Sequence, residues 1–390
     1  MKKLCLAAIF CFLLVTSLFV ISLFLINPLS SGSPDIFVGI DVAYDNVEEI
    51  KSLVDEVSSY TNTIVIGSNG ITYNVTKLDE VCSYVYDRGM HFMVFMHPHN
   101  ETEKCEEQRQ WVEDARTRWG ASFLGLYAYD EPGGRQLDNA EYKVLNEKPA
   151  NYSDAAEKYA LELNNVLGYI RESPINSGNL TLFTSDYGLY WFDYRGGYDV
   201  LFAEFGWNHS SQLNVALCRG AATAQNKEWG VMITWTYNHH PYLESGPELY
   251  EDMVLAYNNG AQYILVFDTT KNYTHGILEQ EHLDALKQFW NYAENNPRKT
   301  DVSSERVAYV LPYGYAYGFR GPWDKIWGFW EAEDDPLSYG ISADVGKFLE
   351  DYDTKLDIIY DDGIVVDDTY SKYVFWNGTV ILVHSFLAEN

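Results

Sequence analysis

The 390-residue sequence predicts an α/β protein whose main part is a (β/α)8 barrel. Short β-rich segments alternate with longer amphipathic segments from residue 35 onward, which is typical of parallel sheets with covering helices. The alternation repeats eight times over residues 34–297, close to the roughly 250 residues that such barrels use. An open, doubly wound sheet is the alternative architecture for the same alternation.

Each strand is predicted from a run of β-branched, aromatic or aliphatic residues that ends in polar or turn-forming residues. The eight strands are Ile36 to Val42, Thr63 to Ile66, His91 to Met96, Phe123 to Tyr129, Leu180 to Thr184, Val200 to Phe205, Val231 to Tyr237 and Tyr263 to Phe267. The apolar periodicity between them predicts helices, including Val47 to Ser59, Val75 to Arg88, Glu103 to Arg118, Ser153 to Glu172, Pro247 to Asn258 and His282 to Ala293.

The first 30 residues have the layout of an export signal, with Lys2 and Lys3 ahead of an apolar run from Leu4 to Ile26. The run has 23 residues and no clear Ala-x-Ala site follows it, so it is long enough to span a bilayer as an uncleaved anchor. We therefore expect a membrane-anchored protein that faces the outside, or a secreted one if the leader is cleaved.

The polar composition fits an external protein. Seven Asn-x-Ser/Thr sequons are present, starting at Asn74, Asn100, Asn151, Asn179, Asn208, Asn272 and Asn377, and they predict a glycoprotein. The net charge of −29 argues against a nucleic-acid partner, because such binding requires clusters of Lys and Arg. Of the five cysteines, three lie outside the leader, so a disulfide framework is not expected, although Cys82 and Cys105 could pair.

A smaller α/β unit is predicted at residues 305–390, after a polar linker that contains Pro297. Its expected elements are a strand at Val307 to Leu311, a helix near Ser342 to Tyr352, a strand at Leu356 to Tyr360 and a hairpin from Tyr373 to Val383. Asn377-Gly378 between the two halves of the hairpin indicates a type I′ turn.

Carboxylates follow two of the predicted barrel strands. Active sites of such barrels lie at the carboxyl ends of the strands. Alternation along the fourth strand turns Glu131 inward and leaves Asp130 behind it or capping the next turn. The sixth strand places Glu204 at the same mouth, and the first strand adds Asp41. A carboxyl pair of this kind suits glycoside cleavage, in which one group donates a proton and the other acts as base or nucleophile.

The segment Tyr129-Asp130-Glu131-Pro132 resembles the Asn/Asp-Glu-Pro ending of the fourth strand in many barrel glycoside hydrolases, where the Glu is the general acid/base. The resemblance covers four residues and the barrel architecture and indicates no specific family. The largest clan of these enzymes has its nucleophilic Glu on the seventh strand, where this chain has Ile233 to His240 without an acid. Acids on strands four and six are instead similar to certain α-galactosidase-like barrels.

The predicted function is therefore a cofactor-free, metal-free glycoside hydrolase with Glu131 and Glu204 as catalytic residues and a carbohydrate substrate. Aromatic faces suit sugar rings, and polar residues at strand ends can fix hydroxyl groups. The predicted substrate-binding residues are Asp41, His97, Asp130, Asp186, Tyr187, Trp207, Trp235, Tyr237 and Asp268.

Two other functions remain open from the sequence. One is a noncatalytic carbohydrate-binding or cell-envelope protein on the same barrel. The other is a metal-dependent hydrolase that uses His97-Pro-His99 together with Asp41, Asp268 and His239-His240, since His and Asp at a barrel mouth can bind a hydrolytic metal.

Overall fold

The computed structural model describes residues 35–96, 103–171, 180–298, 305–321, 324–363 and 366–383. The predicted leader at residues 1–30 and its anchor lie outside these ranges. Within the described ranges, no helix is both long and apolar enough to cross a membrane. From Ile36 onward, the described residues form one compact unit.

Eight parallel strands close into a barrel in chain order, each pairing with the strands before and after it. The open doubly wound sheet is therefore excluded. The strands are β1 Phe37–Val42, β2 Thr63–Ile66, β3 His91–Met96, β4 Phe123–Ala128, β5 Leu182–Asp186, β6 Val200–Phe205, β7 Glu228–Ile233 and β8 Tyr263–Asp268. The prediction is two residues early for β5 and about three residues late for β7.

Helices follow the strands and cover the outside of the barrel, with shorter helices in some of the loops. They are α1 Val47–Val57, α2 Asn69–Thr72, α3 Val75–Asp87, α4 Glu103–Trp119, α5 Pro132–Leu137, α6 Tyr152–Arg171, α7 Tyr190–Gly196, α8 Ser211–Ala224, α9 Gly246–Asn258 and α10 Gln280–Asn295. Cys82 in α3 and Cys218 in α8 are buried free thiols. The side chain of Cys105 lies outside the described part of the chain.

Side chains alternate between the barrel interior and the layer under the helices, as the pleat of a strand requires. Val38, Ile40 and Val42 of β1 belong to the outer layer, whereas Tyr127 of β4 belongs to the interior cluster. Alternation along β4 would direct Leu124 toward the helices, since Tyr127 faces the interior, but Leu124 packs against the interior cluster. The register of β4 against β3 shifts between Phe92 and Met93, and this irregularity reverses the expected direction.

A four-stranded sheet follows the barrel, in the spatial order β12-β9-β13-β14. Its elements are β9 Val307–Leu311, β12 Leu356–Tyr360, β13 Lys372–Phe375, β14 Val380–Leu382 and the helix α11 Ser338–Tyr352, with a separate ribbon of β10 Lys325–Ile326 and β11 Trp330–Glu331. The hairpin is present, but the type I′ prediction is wrong. Gly378 has a positive φ and Asn377 does not, and the N–H of Gly378 bonds to the carbonyl of Phe375 at 2.8 Å.

A buried ion cluster joins this sheet to the barrel. Arg219 of α8 donates from Nε to Asp357 of β12 at 2.7 Å, and Arg306 donates to the other carboxylate oxygen at 3.0 Å. The Asp357 side chain is fully buried. Gly220 allows this close approach, because a Cβ at that position would lie 2.6 Å from the carbonyl oxygen of Ile358.

A second contact lies next to the fourth barrel strand. Trp327 is fully buried, and its ring packs 4.7 Å from that of Phe192 and 5.3 Å from that of Tyr159. The Gln136 amide of α5 donates to the carbonyl of Trp327 at 3.0 Å. The segment before α11 thus supports α5, the short helix that begins directly after Glu131.

Candidate active site

A cleft of about 1220 Å³ lies at the carboxyl ends of the barrel strands. Seven carboxyl residues line it, and four of them lie at or just after barrel strands: Asp41 at the end of β1, Asp130 and Glu131 after β4, and Glu204 near the end of β6. The cleft is also lined by a set of aromatic side chains, which includes Tyr127, Tyr129, Trp207, Trp235 and Phe267. The two glutamates predicted as the catalytic pair therefore face one common space.

The turn after β4 has an unusual backbone. Tyr129 and Glu131 both have φ of 53°, in the left-handed region that non-glycine residues rarely adopt. Each such residue costs on the order of 1–3 kcal/mol, and residues of this kind cluster at functional sites. The reversal at Tyr129 also ends the strand alternation, which is why Asp130 and Glu131 both reach the cleft. Asp130 therefore does not lie behind Glu131, contrary to the expectation from strand alternation.

Asp186 stabilises this turn from behind. Its carboxylate accepts the N–H groups of Gly133 at 2.6 Å and Gly134 at 2.7 Å, which belong to the first turn of α5. It also accepts the N–H groups of Tyr187 at 2.7 Å and Gly188 at 3.1 Å. A carboxylate at a helix N-terminus satisfies N–H groups that have no partner within the helix. Asp186 therefore fixes the start of α5, and with it the position of Glu131.

Glu131 has the properties of a general acid. Its side chain keeps 27% of its surface exposed to the cleft, so a substrate can reach it. Burial raises the pKa of Glu131 to about 8, with a contribution from the neighbouring Asp130 charge, while Arg135 opposes the shift. At neutral pH most Glu131 side chains are protonated, which is the state that donates a proton to a leaving group.

Glu204 is more deeply buried, with 4% of its surface exposed. Its Oε1 accepts a hydrogen bond from the Ser185 hydroxyl at 2.5 Å, and Oε2 has no hydrogen-bond partner among the described residues. The Asn214 amide holds the backbone carbonyl of Glu204 at 2.7 Å. Burial, and then the nearby charge of Glu131, raises the pKa of Glu204 well above its usual range. Oε2 is itself shielded from solvent, so it is a buried acceptor whose hydrogen-bonding capacity the described residues leave unused.

Asp130 and Arg135 form the polar edge beside Glu131. Asp130 accepts a hydrogen bond from the Tyr127 hydroxyl at 2.5 Å. Arg135 lies 3.5 Å from the carboxylates of both Asp130 and Glu131. Because these side chains are about one-third exposed, the ion pairs are worth little for stability. Their main effect is on the pKa of Glu131, which Asp130 raises and Arg135 lowers.

Asp41 closes the opposite side of the cleft. It is 4% exposed, and its Oδ1 has no hydrogen-bond partner among the described residues. Burial, together with the charges of Asp130 and Asp268, raises the pKa of Asp41 well above its usual range. A Cβ at Gly67 would lie 2.1 Å from Oδ1, so only glycine at this position leaves room for the Asp41 side chain.

The aromatic wall is built by Trp207 and Trp235. Their rings lie 6.1 Å apart at 75°, and the N–H of Trp207 bonds to the carbonyl of Trp235 at 2.8 Å. The Trp235 indole N–H donates to the carbonyl of Thr269 at 3.0 Å, and its ring packs 5.1 Å from Tyr242. The wall is therefore held in place before any ligand binds.

Four predicted substrate-binding residues do not line the cleft. Asp268 points away from the interior and accepts the N–H groups of Ile277 and Leu278 at 2.5 and 3.1 Å, so it shapes a loop as Asp186 does. The Tyr187 hydroxyl donates to Asp138 at 2.8 Å. Tyr237 is 41% exposed on the loop after β7. The fourth is Asp186, the support for α5.

The metal-binding alternative receives no geometric support from the described residues. Among them, no group of three or more His, Cys, Asp or Glu side chains is arranged to hold a metal ion. His239 and His240 are exposed, and His240 lies 3.2 Å from Glu279. His97 and His99 lie outside the described ranges.

Ser185, Arg135 and Thr234 are among the cleft residues that were not identified from the sequence as site residues. Ser185 was missed because β5 was placed two residues too early. With the observed limits, Phe183 faces the interior and the alternation directs Ser185 the same way. Arg135 could have been found from its position four residues after Glu131, which places it one helical turn away. Thr234 reaches the cleft by continuing the alternation of Met232 in β7.

No protein-family model matches the sequence, and no curated protein sequence matches it. Solved structures do match. A beta-galactosidase from the psychrophilic Marinomonas ef1 aligns with 87% of this chain and 72% of its own, at 11% identity and a TM-score of 0.58. A polyextremophilic beta-galactosidase from the Antarctic haloarchaeon Halorubrum lacusprofundi aligns with 87% of this chain and 69% of its own, at 12% identity and a TM-score of 0.59.

A third similar structure is alpha-L-fucosidase isoenzyme 2 from Paenibacillus thiaminolyticus. It aligns with 87% of this chain, at 10% identity and a TM-score of 0.50, and the aligned part is 60% of its own length. At these identities the likeness concerns the fold. The chain therefore has the (β/α)8 barrel fold that glycoside hydrolases such as these share.

Proposed function

We propose that the protein hydrolyses glycosidic bonds, with Glu131 as proton donor and Glu204 as the carboxylate partner. The observation that carries the proposal is the position of both carboxyl groups on one cleft lined by Trp207 and Trp235. Glycoside cleavage requires one carboxyl group that stays protonated and a second that acts as nucleophile or activates water. Tryptophan faces suit the apolar faces of sugar rings.

The roles follow from the surroundings of the two acids. Glu131 is the more exposed and is protonated at neutral pH, because burial raises its pKa to about 8; it donates the proton to the leaving oxygen. Glu204 is buried, with one oxygen held by Ser185 and the other unpaired. A carboxylate with one fixed and one free oxygen is oriented for attack or for activating a water. Asp41 lies across the cleft, and its carboxyl group is part of the wall that faces the sugar.

The proposal is tested with purified protein and a panel of 4-nitrophenyl glycosides that includes the β-galactoside and the α-L-fucoside, two of the linkages named for the similar folds. Glu131→Gln and Glu204→Gln each remove one acid at nearly constant volume. Glu244→Gln is the matched control, because Glu244 also has a pKa raised to about 8 by burial but lies outside the cleft.

On these activated aryl glycosides we expect Glu204→Gln to lose hydrolysis by a factor of about 10² to 10⁴. Glu131→Gln should lose less, because the 4-nitrophenolate leaving group needs less protonation, and Glu244→Gln should keep the activity. Full activity in Glu131→Gln would contradict the assigned mechanism. Tight binding of oligosaccharides without hydrolysis by the wild type, measured by calorimetry, would favour the noncatalytic alternative.

The proposed substrate is an extracellular polysaccharide or glycan, and the proposed location is the outer face of a membrane, with residues 1–30 as the anchor. Five sequon asparagines fall within the described ranges, namely Asn74, Asn151, Asn208, Asn272 and Asn377, and all five are exposed. Exposure is what glycosylation at these sites requires. Cell fractionation with external protease digestion tests the location, and full protection of the protein in intact cells would contradict it.

A further inference from the structure

Four polar side chains form a continuous line of hydrogen bonds along the wall of the cleft. Glu204 of β6 contacts the Ser185 hydroxyl of β5 at 2.5 Å, Ser185 contacts the Tyr127 hydroxyl of β4 at 2.7 Å, and Tyr127 contacts Asp130 at 2.5 Å. Three neighbouring strands thus place two carboxyl groups at the ends of a path made only of hydroxyl groups. All three distances lie in the range of good O–H···O hydrogen bonds.

The number of hydrogens along this line constrains the protonation of its ends. Each hydroxyl group carries one hydrogen, so Ser185 and Tyr127 supply two hydrogens for three contacts. If Tyr127 donates to Asp130 and Ser185 donates to Glu204, no hydrogen remains between the two hydroxyl oxygens. An unpaired contact of this kind is costly in a buried site. The third hydrogen must therefore come from a protonated carboxyl group at one end of the line.

The surroundings favour the retention of that proton. Burial, followed by the charges of Asp130 and Glu204, raises the pKa of Tyr127 well above its usual range, so this phenol stays protonated. Other charged groups that face the line are Asp41 across the cleft, Glu131 beside Asp130, and Asp186 near Glu204. All three are acids and disfavour a second negative charge. Arg135, at 3.5 Å from Asp130 and Glu131, is the cation that opposes them.

We propose that Tyr127 and Ser185 form a proton relay that shares a single proton between Asp130 and Glu204. In one state Glu204 is the acid and donates to Ser185, Ser185 donates to Tyr127, and Tyr127 donates to the Asp130 carboxylate. In the other state every hydrogen has moved one step: the Glu204 O–H bond is broken, Asp130 carries the new O–H bond, and each hydroxyl group has given one proton and received one. Both states satisfy all three contacts, and neither needs an outside proton acceptor.

The relay adds a step to the proposed hydrolysis, and its purpose rests on that proposed function. A buried Glu204 acts as nucleophile or base only after it loses its proton. With a sugar in the cleft, water is displaced from the site and cannot take that proton. The relay moves it through the protein to Asp130, which is 38% exposed at the side chain. Tyr127 and Ser185 are therefore positioning residues that control the charge of Glu204 without contacting the reacting bond.

The experiment needs no substrate, so its result does not depend on whether the protein hydrolyses glycosides. Protein labelled with carbon-13 at the side-chain carboxyl groups of Asp and Glu is titrated by NMR. The two signals are assigned by their loss in Asp130→Asn and Glu204→Gln. In the wild type we expect both carboxyl carbons to titrate together, through the same two pH steps, because interacting sites have shared macroscopic steps.

Tyr127→Phe and Ser185→Ala each remove one hydroxyl group from the line. In either variant we expect the joint titration to separate into one step for each carboxyl group, because the hydrogen-bonded path between them is broken. Tyr198→Phe is the matched control. Tyr198, just before β6, is also a buried tyrosine. Its hydroxyl donates to the carbonyls of Ala128 and Tyr129 at 2.7 and 3.1 Å and not to the line, so the joint titration should persist.

Separate titration of the two carbons in the wild type would overturn the relay. So would a joint titration that survives both Tyr127→Phe and Ser185→Ala, because the coupling would then act through space alone. Circular dichroism confirms that each variant is folded, and Ser185→Ala, which removes a single oxygen atom, keeps the test available if the tyrosine variant is unstable.

Discussion

Asp130 and Arg135 are charged neighbours of Glu131. Removing the charge of Asp130 and removing the charge of Arg135 should shift the pH profile of hydrolysis in opposite directions. Glu131 must be protonated to donate, and burial raises its pKa to about 8, so kcat/KM should fall as the pH rises through about 8. Asp130 raises this pKa and Arg135 lowers it. Asp130→Asn should therefore move the alkaline limb to lower pH, and Arg135→Gln should move it to higher pH.

The size of the Arg135 effect follows from its geometry. The guanidinium lies 3.5 Å from the Glu131 carboxylate, and the two side chains are 33% and 27% exposed. Pairs exposed to this degree contribute roughly 0.2–1 kcal/mol, and one pH unit corresponds to about 1.4 kcal/mol. We therefore expect a shift of up to about 0.7 pH unit. The change should shrink in high salt, which screens exposed charges.

The assay is the pH dependence of kcat/KM for whichever 4-nitrophenyl glycoside the wild type hydrolyses, measured from pH 5 to 10, a range of about five units that brackets the raised pKa. Glu131→Gln should lose the alkaline limb together with most of the activity. The reasoning would be refuted if Asp130→Asn and Arg135→Gln moved the limb in the same direction, or if the limb persisted unchanged in Glu131→Gln.

Three further substitutions test residues in and around the site. Asp186→Asn should lower the free energy of unfolding by about 2 kcal/mol in urea titrations, because N–H groups at the start of α5 lose a charged acceptor, and it should also reduce kcat. Trp235→Ala should raise KM by about tenfold while changing kcat less, since it removes a sugar-stacking face; an unchanged KM would exclude that face from the binding site. Asp357→Ala should lower the free energy of unfolding by about 3 kcal/mol or more, because Arg219 and Arg306 lose their buried partner, with hydrolysis per folded molecule unchanged.

Much of the barrel could be predicted because its signals are local. The apolar runs of β1 and β6 are clear in the sequence. Asp41 was therefore assigned to the barrel mouth from the alternation of β1, and Glu204 from its position near the end of β6. The limits of β5 and β7 could not be read in this way. Both runs are β-rich beyond the residues that pair, and the limits of pairing depend on a neighbouring strand that is distant in sequence.

The loop after β7 is an example of a strand end that the residue pattern does not reveal. Thr234 to Tyr237 has the composition of a strand, but the N–H groups of Thr236 and Tyr237 bond to the carbonyl of Tyr242 at 2.8 and 2.9 Å. The chain therefore leaves the barrel three residues after Ile233 and carries Tyr237 to the surface. Hydrogen bonds within a loop of this kind leave no clear pattern in the residues that form them.

The turn at Tyr129 is a second case. Strand alternation assumes extended backbone, and the positive φ of Tyr129 breaks that assumption. The consequence is functional, because it brings Asp130 and Glu131 to the same cleft and connects Asp130 with Tyr127. Ser185 is a further example, because its role depends on contacts with Glu204 and Tyr127, which come from other strands.

The measurement that tests the central claim most directly is the dependence of hydrolysis on the leaving group in Glu131→Gln. A general acid matters most when the leaving group is a poor one. For a disaccharide or alkyl glycoside we expect a loss of about 10³-fold or more relative to the wild type, and for the corresponding 2,4-dinitrophenyl glycoside a much smaller loss, with Glu204→Gln inactive on both. Equal losses on the two substrates in Glu131→Gln would contradict the assignment of Glu131 as the proton donor.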